Sequence, residues 1–364
     1  MYRAEMIADA RNNSVFGRAK RFMPSNYKTA IAELIAERGL PRELVIDTVS
    51  KALLDVYRRS MRSSTDDTII TVDKVGEVHM FVKKHIVAQV EDSAKEISLA
   101  EAQRIKLNAA LGEFMQVETP ELLERIPVRN ASQIILQRIR EAEHMFLYEQ
   151  YQDRVNEMVV ATILRPNDDD GFLVQLDKLE GILPAKEMSP LDKYKPQMRI
   201  RVYVAEIKKM NGRPPLAIVS RIHINLVKRL FEQEVPEIVN GLVEIKGIVR
   251  DAGNRSKVAV KSRQDGLDAV GACVGVRGAR INSIVSELNG EKVDIIPWNS
   301  DPAVFVGNAL SPAKPIRIDL DPNEKLAKVI VPASQLSLAI GKDGQNARLA
   351  NKLTGWRIVI AKAE

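Results

Sequence analysis

Gly275-Val276-Arg277-Gly278 and Gly341-Lys342-Asp343-Gly344 are short glycine loops, each between two stretches of helical character, and their surroundings decide the fold. Around the first, Val243-Glu244-Ile245-Lys246-Gly247-Ile248-Val249 and Lys257-Val258-Ala259-Val260-Lys261 read as strands, and a short apolar helix is predicted from Leu267 to Val274. A helix from Arg280 to Leu288 and a closing strand, Val293-Asp294-Ile295-Ile296, follow the loop. The same order returns around the second loop. Ile316-Arg317-Ile318-Asp319-Leu320 and Ala327-Lys328-Val329-Ile330-Val331 precede a short helix from Gln335 to Ile340, and a helix from Gln345 to Leu353 and Trp356-Arg357-Ile358-Val359-Ile360 come after it. Period-two alternation marks the strands, and spacing such as Ala347, Ala350 and Leu353 marks the helices. The chain therefore holds an internal repeat, β-β-α-loop-α-β, with a leading helix in each copy over about Leu226 to Val239 and Pro302 to Leu310.

A lone GxxG says little, because glycine pairs bound turns in every fold. Two in matched contexts say more. A glycine at each end lets a nucleic-acid backbone approach with no Cβ in the way, and the helix that follows offers unpaired N–H groups to a phosphate. This is the arrangement of a type II KH module, which clamps about four single-stranded nucleotides. The expected RNA-binding residues are the loops themselves, Gly275, Val276, Arg277, Gly278 and Gly341, Lys342, Asp343, Gly344, with Arg280, Gln345, Asn346 and Arg348 lining the helix starts. Lys257, Lys261 and Arg263 extend the track along a strand, although surface strands carry lysines for solubility just as often. Neither loop is a Walker loop, since the GxxxxGK[ST] spacing is missing.

A chain of 364 residues with 45% apolar content predicts several packed domains. The net charge of +6 favours a polyanionic partner, but against 54 basic and 48 acidic residues the excess is small and local pattern decides. One cysteine, Cys273, excludes a disulfide framework within the chain and a thiolate zinc site, and fits a reducing cytoplasm. It reads as a small core residue. His79, His85, His144 and His223 have no metal-ligand spacing, and neither a metal nor a cofactor is expected. No apolar run approaches the roughly 20 residues of a membrane span. Residues 1–24 read as a basic, disordered extension, with Met23 as an alternative initiator.

From Ser25 the pattern is helical, with Ile31, Leu34 and Ile35 on one face and a stop at Gly39. Pro41 opens a second helix with Leu44, Val45, Val49, Ala52, Leu53 and Val56 on its apolar face. Strands are predicted over Thr68 to Val72, Val78 to Val82 and His85 to Val90, then a helix capped by Ser98 with Glu101 as its return partner, then a long helix from Ala131 past Tyr151. Five short strands follow, Met158 to Leu164, Gly171 to Leu176, Gly181 to Leu183, Arg199 to Glu206 and Leu216 to Ser220, with a helical turn at Ala185-Lys186-Glu187-Met188. They predict a small closed barrel of the S1-type OB-fold. Such barrels bind single strands by aromatic stacking, for which Phe172 and Tyr203 are the candidates, each equally able to be core. Trp298 and Trp356 are expected to pack at strand ends.

A multidomain α+β chain with a helical and stranded amino-terminal domain, an S1-type barrel and two tandem type II KH modules resembles the bacterial NusA family of transcription factors. The resemblance runs from about Ser25 to the carboxyl end. It is most specific at Val270-Gly271-Ala272-Cys273-Val274-Gly275, Gly290-Glu291-Lys292-Val293-Asp294-Ile295-Ile296-Pro297-Trp298, Ala309-Leu310-Ser311-Pro312-Ala313-Lys314 and Gln335 through Ala350. Glu37-Arg38-Gly39-Leu40-Pro41 and Ile139-Arg140-Glu141-Ala142-Glu143 carry it in the amino-terminal part. The implied domains are 25–152, 153–222, 223–300 and 301–364. The resemblance implies a factor that docks on RNA polymerase near the RNA exit by its amino-terminal domain and holds nascent RNA on the barrel and KH surfaces. It would modulate pausing, termination and antitermination with other Nus factors, as a monomer in the cytoplasm. Glu157-Met158-Val159-Val160-Ala161 departs from the glycine-flanked valine usual in the barrel's first strand, and Asp168-Asp169-Asp170 puts charge that repels phosphate in its first turn.

KH and S1 modules also occur in exoribonucleases of the polynucleotide phosphorylase type. No segment here is large enough for that catalytic core or clusters metal-binding carboxylates, so no enzyme and no catalytic residue is expected. The alternative is a free-standing single-stranded RNA-binding or ribosome-associated protein.

Overall fold

The computed structural model describes residues 40–61, 67–73, 76–125, 128–167 and 170–363. The extension over 1–24, the helix expected after Ser25 and Asp168-Asp169 of the barrel turn lie outside them. The chain divides between Glu149 and Gln150 into two compact units.

In the first unit, α1 (Arg42–Met61) buries Val45, Val49, Ala52, Leu53 and Val56, a stripe at helical spacing, against Ile70, Val72 and Met80 of a sheet. The sheet comprises β1 (Thr68–Val72), β2 (Val78–Val87), β3 (Glu96–Ser98) and β4 (Phe114–Glu118), with β2 pairing all three others. The two strands expected around Lys83-Lys84 are one continuous β2. Alternation survives the lysine pair because Lys83 falls on the exposed face, its ammonium over the Phe114 ring, while Lys84 turns to the Ser93 carbonyl. α2 (Leu99–Ile105) starts at Ser98, whose Oγ accepts from the Glu101 N–H and donates to the Glu101 carboxylate. The box is therefore closed side chain to side chain instead of through the Ser98 N–H. α3 (Val128–Gln152) adds Ala131, Ile135 and Ile139 to the same core.

The second unit begins with a closed barrel of β5 (Met158–Pro166), β6 (Phe172–Leu176), β7 (Leu179–Leu183), β8 (Arg199–Lys208) and β9 (Leu216–Ser220), in the order β5-β6-β7-β9-β8. Alternate residues such as Ala161, Ile163, Val174, Leu183, Val202, Val204 and Val219 fill it. Gly171, at φ +102°, ends the first turn where a Cβ would strike the Leu183 carbonyl. Tyr203 is core: its ring lies flat on His223 at 4.1 Å, and its hydroxyl donates to Asn156 Oδ1 and accepts from Asn225 Nδ2. That removes Tyr203 from the stacking candidates.

Arg221 joins the barrel to the first repeat. It is 2% exposed; its guanidinium donates to both Asp192 oxygens, to the Arg201 and Glu287 carbonyls and to the Glu287 carboxylate. Burial works against ionising Asp192, but the guanidinium outweighs it and holds that carboxyl below its ordinary range. α4 (Ile224–Glu234) and α5 (Pro236–Val239) replace the single leading helix expected to Val239, because Pro236 cannot continue α4 and starts a new turn instead.

Each repeat then builds a three-stranded sheet of one topology. β10 (Val243–Asp251) and β11 (Arg255–Ser262) are antiparallel, and β12 (Lys292–Pro297) returns parallel to β11 after α6 (Ala269–Val274) and α7 (Ala279–Glu287). β13 (Arg317–Asp321), β14 (Leu326–Val331) and β15 (Arg357–Lys362) repeat the pattern around α9 (Leu336–Ile340) and α10 (Gln345–Thr354), with α8 (Pro302–Ala309) leading. Val258 and Val260 of β11 point into the first module's core with Cys273 and Ile284. Ala259, between them, points the other way and joins Ile296, Val306 and Ala350 in the second core. The back of the first sheet is thus covered by the second module.

Candidate nucleic-acid interface

The two loops have one backbone conformation. Gly275 sits at φ 74°, ψ 173° and Gly341 at φ 77°, ψ 170°; Arg277 at φ 51°, ψ 27° and Asp343 at φ 51°, ψ 31°; Gly278 at φ 80° and Gly344 at φ 72°. Gly275 and Gly341 are required locally, since a Cβ on either would lie within 2.8 Å of Arg280 Cγ or 2.7 Å of the Asn346 nitrogen. Around Gly344 a Cβ would meet nothing within 4 Å, so this end of the loop is open to an incoming strand. The helices α7 and α10 start at Ala279 and Gln345 with no side chain capping them. The first N–H of each helix closes the loop's own turn, Ala279 onto the Val276 carbonyl and Gln345 onto the Lys342 carbonyl, so what each loop offers a phosphate is the positive end of the helix behind it.

Superposing the conformations pairs Val276 with Lys342 and Arg277 with Asp343. The cation therefore occupies the third place in the first loop and the second place in the other, where Asp343 cancels it. Val276, Arg277, Lys342 and Asp343 are all exposed, and among the described residues neither Arg277 nor Lys342 has an ion-pair partner. Both ammonium and guanidinium are free to meet a phosphate.

The neighbouring residues expected in the interface are engaged elsewhere. Arg280 donates to both Glu237 oxygens and to the Ala272 carbonyl, folding over Gly275. Asn346 is buried and its Nδ2 holds the Leu310, Leu338 and Ala339 carbonyls, so it builds the loop's underside. Gln345 Nε2 and Arg348 donate to Asp251 of the first module, at 2.7 and 3.1 Å. Lys257 corrects the expectation outright: it is fully buried, bonded to Asp294 and to the Ser311 carbonyl, and cannot touch RNA. Burial lowers its ammonium pKa, against the pull of Asp294. Lys261 shares the back face of β11 with Lys257 and lies over the Trp298 ring at 4.8 Å, away from α6 and α7; Arg263 pairs with Glu244. The strand track is therefore not part of the groove beside the first loop. Trp298 itself packs beside Phe305. Phe172 is half-buried with its ring 5.5 Å from Tyr194, leaving part of it open on the barrel. Burial pushes the Cys273 thiol up to about 12, which leaves it an inert core group.

Family models match along the chain in the same order as these modules: the NusA N-terminal domain over 27–145, the S1 RNA binding domain over 152–218, the NusA-like first KH domain over 221–298 and the NusA-like second KH domain over 302–364. A transcription termination/antitermination protein NusA of Bacillus subtilis is 43% identical over 339 residues, covering 93% of this chain and 91% of its own length. This chain belongs to the NusA family.

The namesake from Thermus thermophilus is 39% identical over 353 residues, covering 94% of this chain and 91% of its own. A solution structure of the B. subtilis NusA N-terminal domain is 32% identical, covers 33% of this chain and 98% of its own, and gives a TM-score of 0.25. Membership makes the chain a transcription termination/antitermination factor with S1 and KH RNA-binding domains, not an enzyme, and the free-standing alternative is not favoured. Periodicity alone could not separate Arg277 and Lys342 from Arg280 and Arg348. Only the partners of each cation do so.

Proposed function

We propose that this NusA-family protein rides on RNA polymerase near the RNA exit and holds nascent single-stranded RNA in its two GxxG clamps, lengthening pauses and biasing termination and antitermination with other Nus factors. The observation that carries the reading is the matched pair of open loops, each presenting one exposed cation with no ion-pair partner among the described residues, ahead of a helix N-terminus that no side chain caps. Arg277 and Lys342 neutralise phosphates, Gly278 and Gly344 admit the RNA backbone, and the positive ends of α7 and α10 lie behind each clamp. The part-exposed Phe172 offers a stacking surface on the barrel. Arg280 and Asn346 support the loops from behind without touching RNA.

The amino-terminal unit is the polymerase-docking part in this reading, and the protein works as a cytoplasmic monomer. No helix among the described residues is long and apolar enough to cross a membrane. The test is photo-crosslinking from nucleotides in RNA emerging from a stalled elongation complex of the cognate polymerase. Crosslinks at residues 275–278 and 341–344 are expected; crosslinks elsewhere on the protein but never at the loops would overturn it.

A further inference from the structure

The outer face of the amino-terminal sheet carries side chains that the RNA reading leaves unused. Ile70, Val72 and Met80 point into the core under α1, so Thr71 and His79, between them in sequence, point out. β1 and β2 pair with Thr71 opposite His79 and Val72 opposite Val78. The bond from the Asp73 N–H to the Glu77 carbonyl continues that register by one step. Asp73 and Glu77 are therefore directly opposed across the hairpin, and period two puts both on the face of His79. Glu118, the last residue of β4, pairs opposite Phe81 and lies diagonally from His79 on the same face.

Two carboxylates opposed across an antiparallel pair repel each other. Here they converge with an imidazole that another strand orients. His79 Nδ1 donates to Glu118 Oε1 at 2.7 Å, which turns Nε2 toward Asp73 Oδ2 at 4.0 Å. With its proton on Nδ1, the neutral ring presents a lone pair at Nε2. Asp73 Oδ1 accepts the Glu77 N–H at 2.8 Å, which holds that carboxylate in place. Asp73, Glu77 and His79 each bring one donor atom within 4.8 Å of the other two. Donors about 2.1 Å from an ion stand roughly 3 to 3.5 Å apart, so a closing of about 1 Å by rotation of these side chains seats one. A carboxylate behind a histidine is the arrangement that fixes the ring on a metal and raises its basicity. One nitrogen with two carboxylates suits a borderline ion better than calcium or magnesium, which take oxygen ligands. Spacing among the histidines hid this set, because it uses only one of them.

We propose that Asp73, Glu77 and His79 bind a divalent transition ion of the zinc class, with Glu118 as the residue that positions the imidazole. The ion neutralises the opposed carboxylates and staples the β1–β2 hairpin, and through His79 and Glu118 it draws in the end of β4. Water fills the remaining coordination positions. The site is on the amino-terminal unit, and the proposal does not depend on RNA binding.

The experiment uses the full chain, stripped of metal by a chelator, in competition with a chromophoric zinc indicator at about pH 7.5, where an ordinary imidazole is neutral. One zinc per chain should bind with a dissociation constant below about 10 μM. His79→Gln and Asp73→Asn should each weaken it by more than about tenfold, and His85→Gln, a histidine of the same strand outside the set, should leave it unchanged. Glu118→Ala should cost about tenfold with one site retained, and Glu118→Gln, whose amide oxygen still accepts from Nδ1, should recover most of that. Cobalt as a substitute ion should shift the His79 ring signals in the NMR spectrum of the parent and not those of His85. Zinc should raise the thermal midpoint of the parent and not that of His79→Gln, while the metal-free midpoints of the two agree. No zinc bound below about 100 μM, or equal binding by the parent, His79→Gln and Asp73→Asn, as for an adventitious ion only, would overturn the proposal.

Discussion

Replacing Arg277 by Asn and Lys342 by Gln removes the two loop cations without disturbing the protein. Asparagine is chosen for the first because the site has φ 51°, a left-handed conformation it tolerates. Both side chains are exposed, and among the described residues neither has an ion-pair partner, so stability should change by no more than about 0.5 kcal/mol. Each phosphate contact to single-stranded RNA contributes a slope of about −0.7 in log K against log salt. Losing two makes the slope shallower by about 1.4, which is about 25-fold in affinity near 0.1 M salt and shrinks towards equality near 1 M. Fluorescence anisotropy with one labelled RNA across a salt series measures this. Arg280→Gln is the internal control: it breaks bonds to Glu237 and Ala272 and should cost about 1–3 kcal/mol of stability with no change in salt slope. The reasoning is refuted if the loop variant keeps the parental slope, or if Arg280→Gln flattens the slope as much as the loop variant does.

Three further outcomes follow from the same structure. Asp343→Asn, which removes the one carboxylate inside a loop, should tighten RNA binding several-fold, by about the 5-fold of one phosphate contact, in the same anisotropy assay. Arg221→Met leaves the nearly inaccessible Asp192 carboxylate without its cation, held only by the Tyr194 hydroxyl and the Asn289 amide, and should destabilise the second unit by about 3–5 kcal/mol, read in a denaturant titration; an unchanged midpoint would show the pair to be dispensable. His223 caps α4 by accepting the Asn225 N–H at Nδ1, which needs a neutral ring, and burial, with Arg250 adding to it against Glu187, keeps its pKa below the ordinary imidazole value. A depressed histidine pKa means that this contribution to stability is full above about pH 6.5 and is lost as the pH falls through the lower folded value. Thermal melts from about pH 8 to about pH 5 should show a drop in the parent that His223→Asn, which keeps a capping oxygen but does not titrate, lacks.

Alternation and spacing carried most of the fold, because period-two and period-3.6 patterns are direct images of strands and helices that bury one face. They read the repeat order and the five barrel strands, and they located both loops. They stopped short where partners decide. Lys257 looked like a solvent-facing strand lysine because alternation says which residues share a face, not whether another module covers that face. Arg348 and Gln345 looked like loop-side contacts, and their acceptor, Asp251, is nearly a hundred positions away in sequence. β4 was missed because only Met115 and Val117 are its inward residues, too few to stand out. Pro236 breaks the leading helix although the apolar spacing runs on through it to Val239. Matching the two loops place by place would have disclosed that Asp343 stands opposite Arg277, a comparison the sequence permitted.

The most direct test of the account is the lifetime of a hairpin-stabilised pause by the cognate RNA polymerase, measured with the parent and with the Arg277→Asn, Lys342→Gln variant at equal occupancy of the polymerase. Lengthened pauses with the parent and clearly shorter ones with the variant are the expected result. Equal lifetimes, with the variant's RNA affinity reduced as calculated, would contradict the claim that the KH clamps act on RNA at the transcribing polymerase.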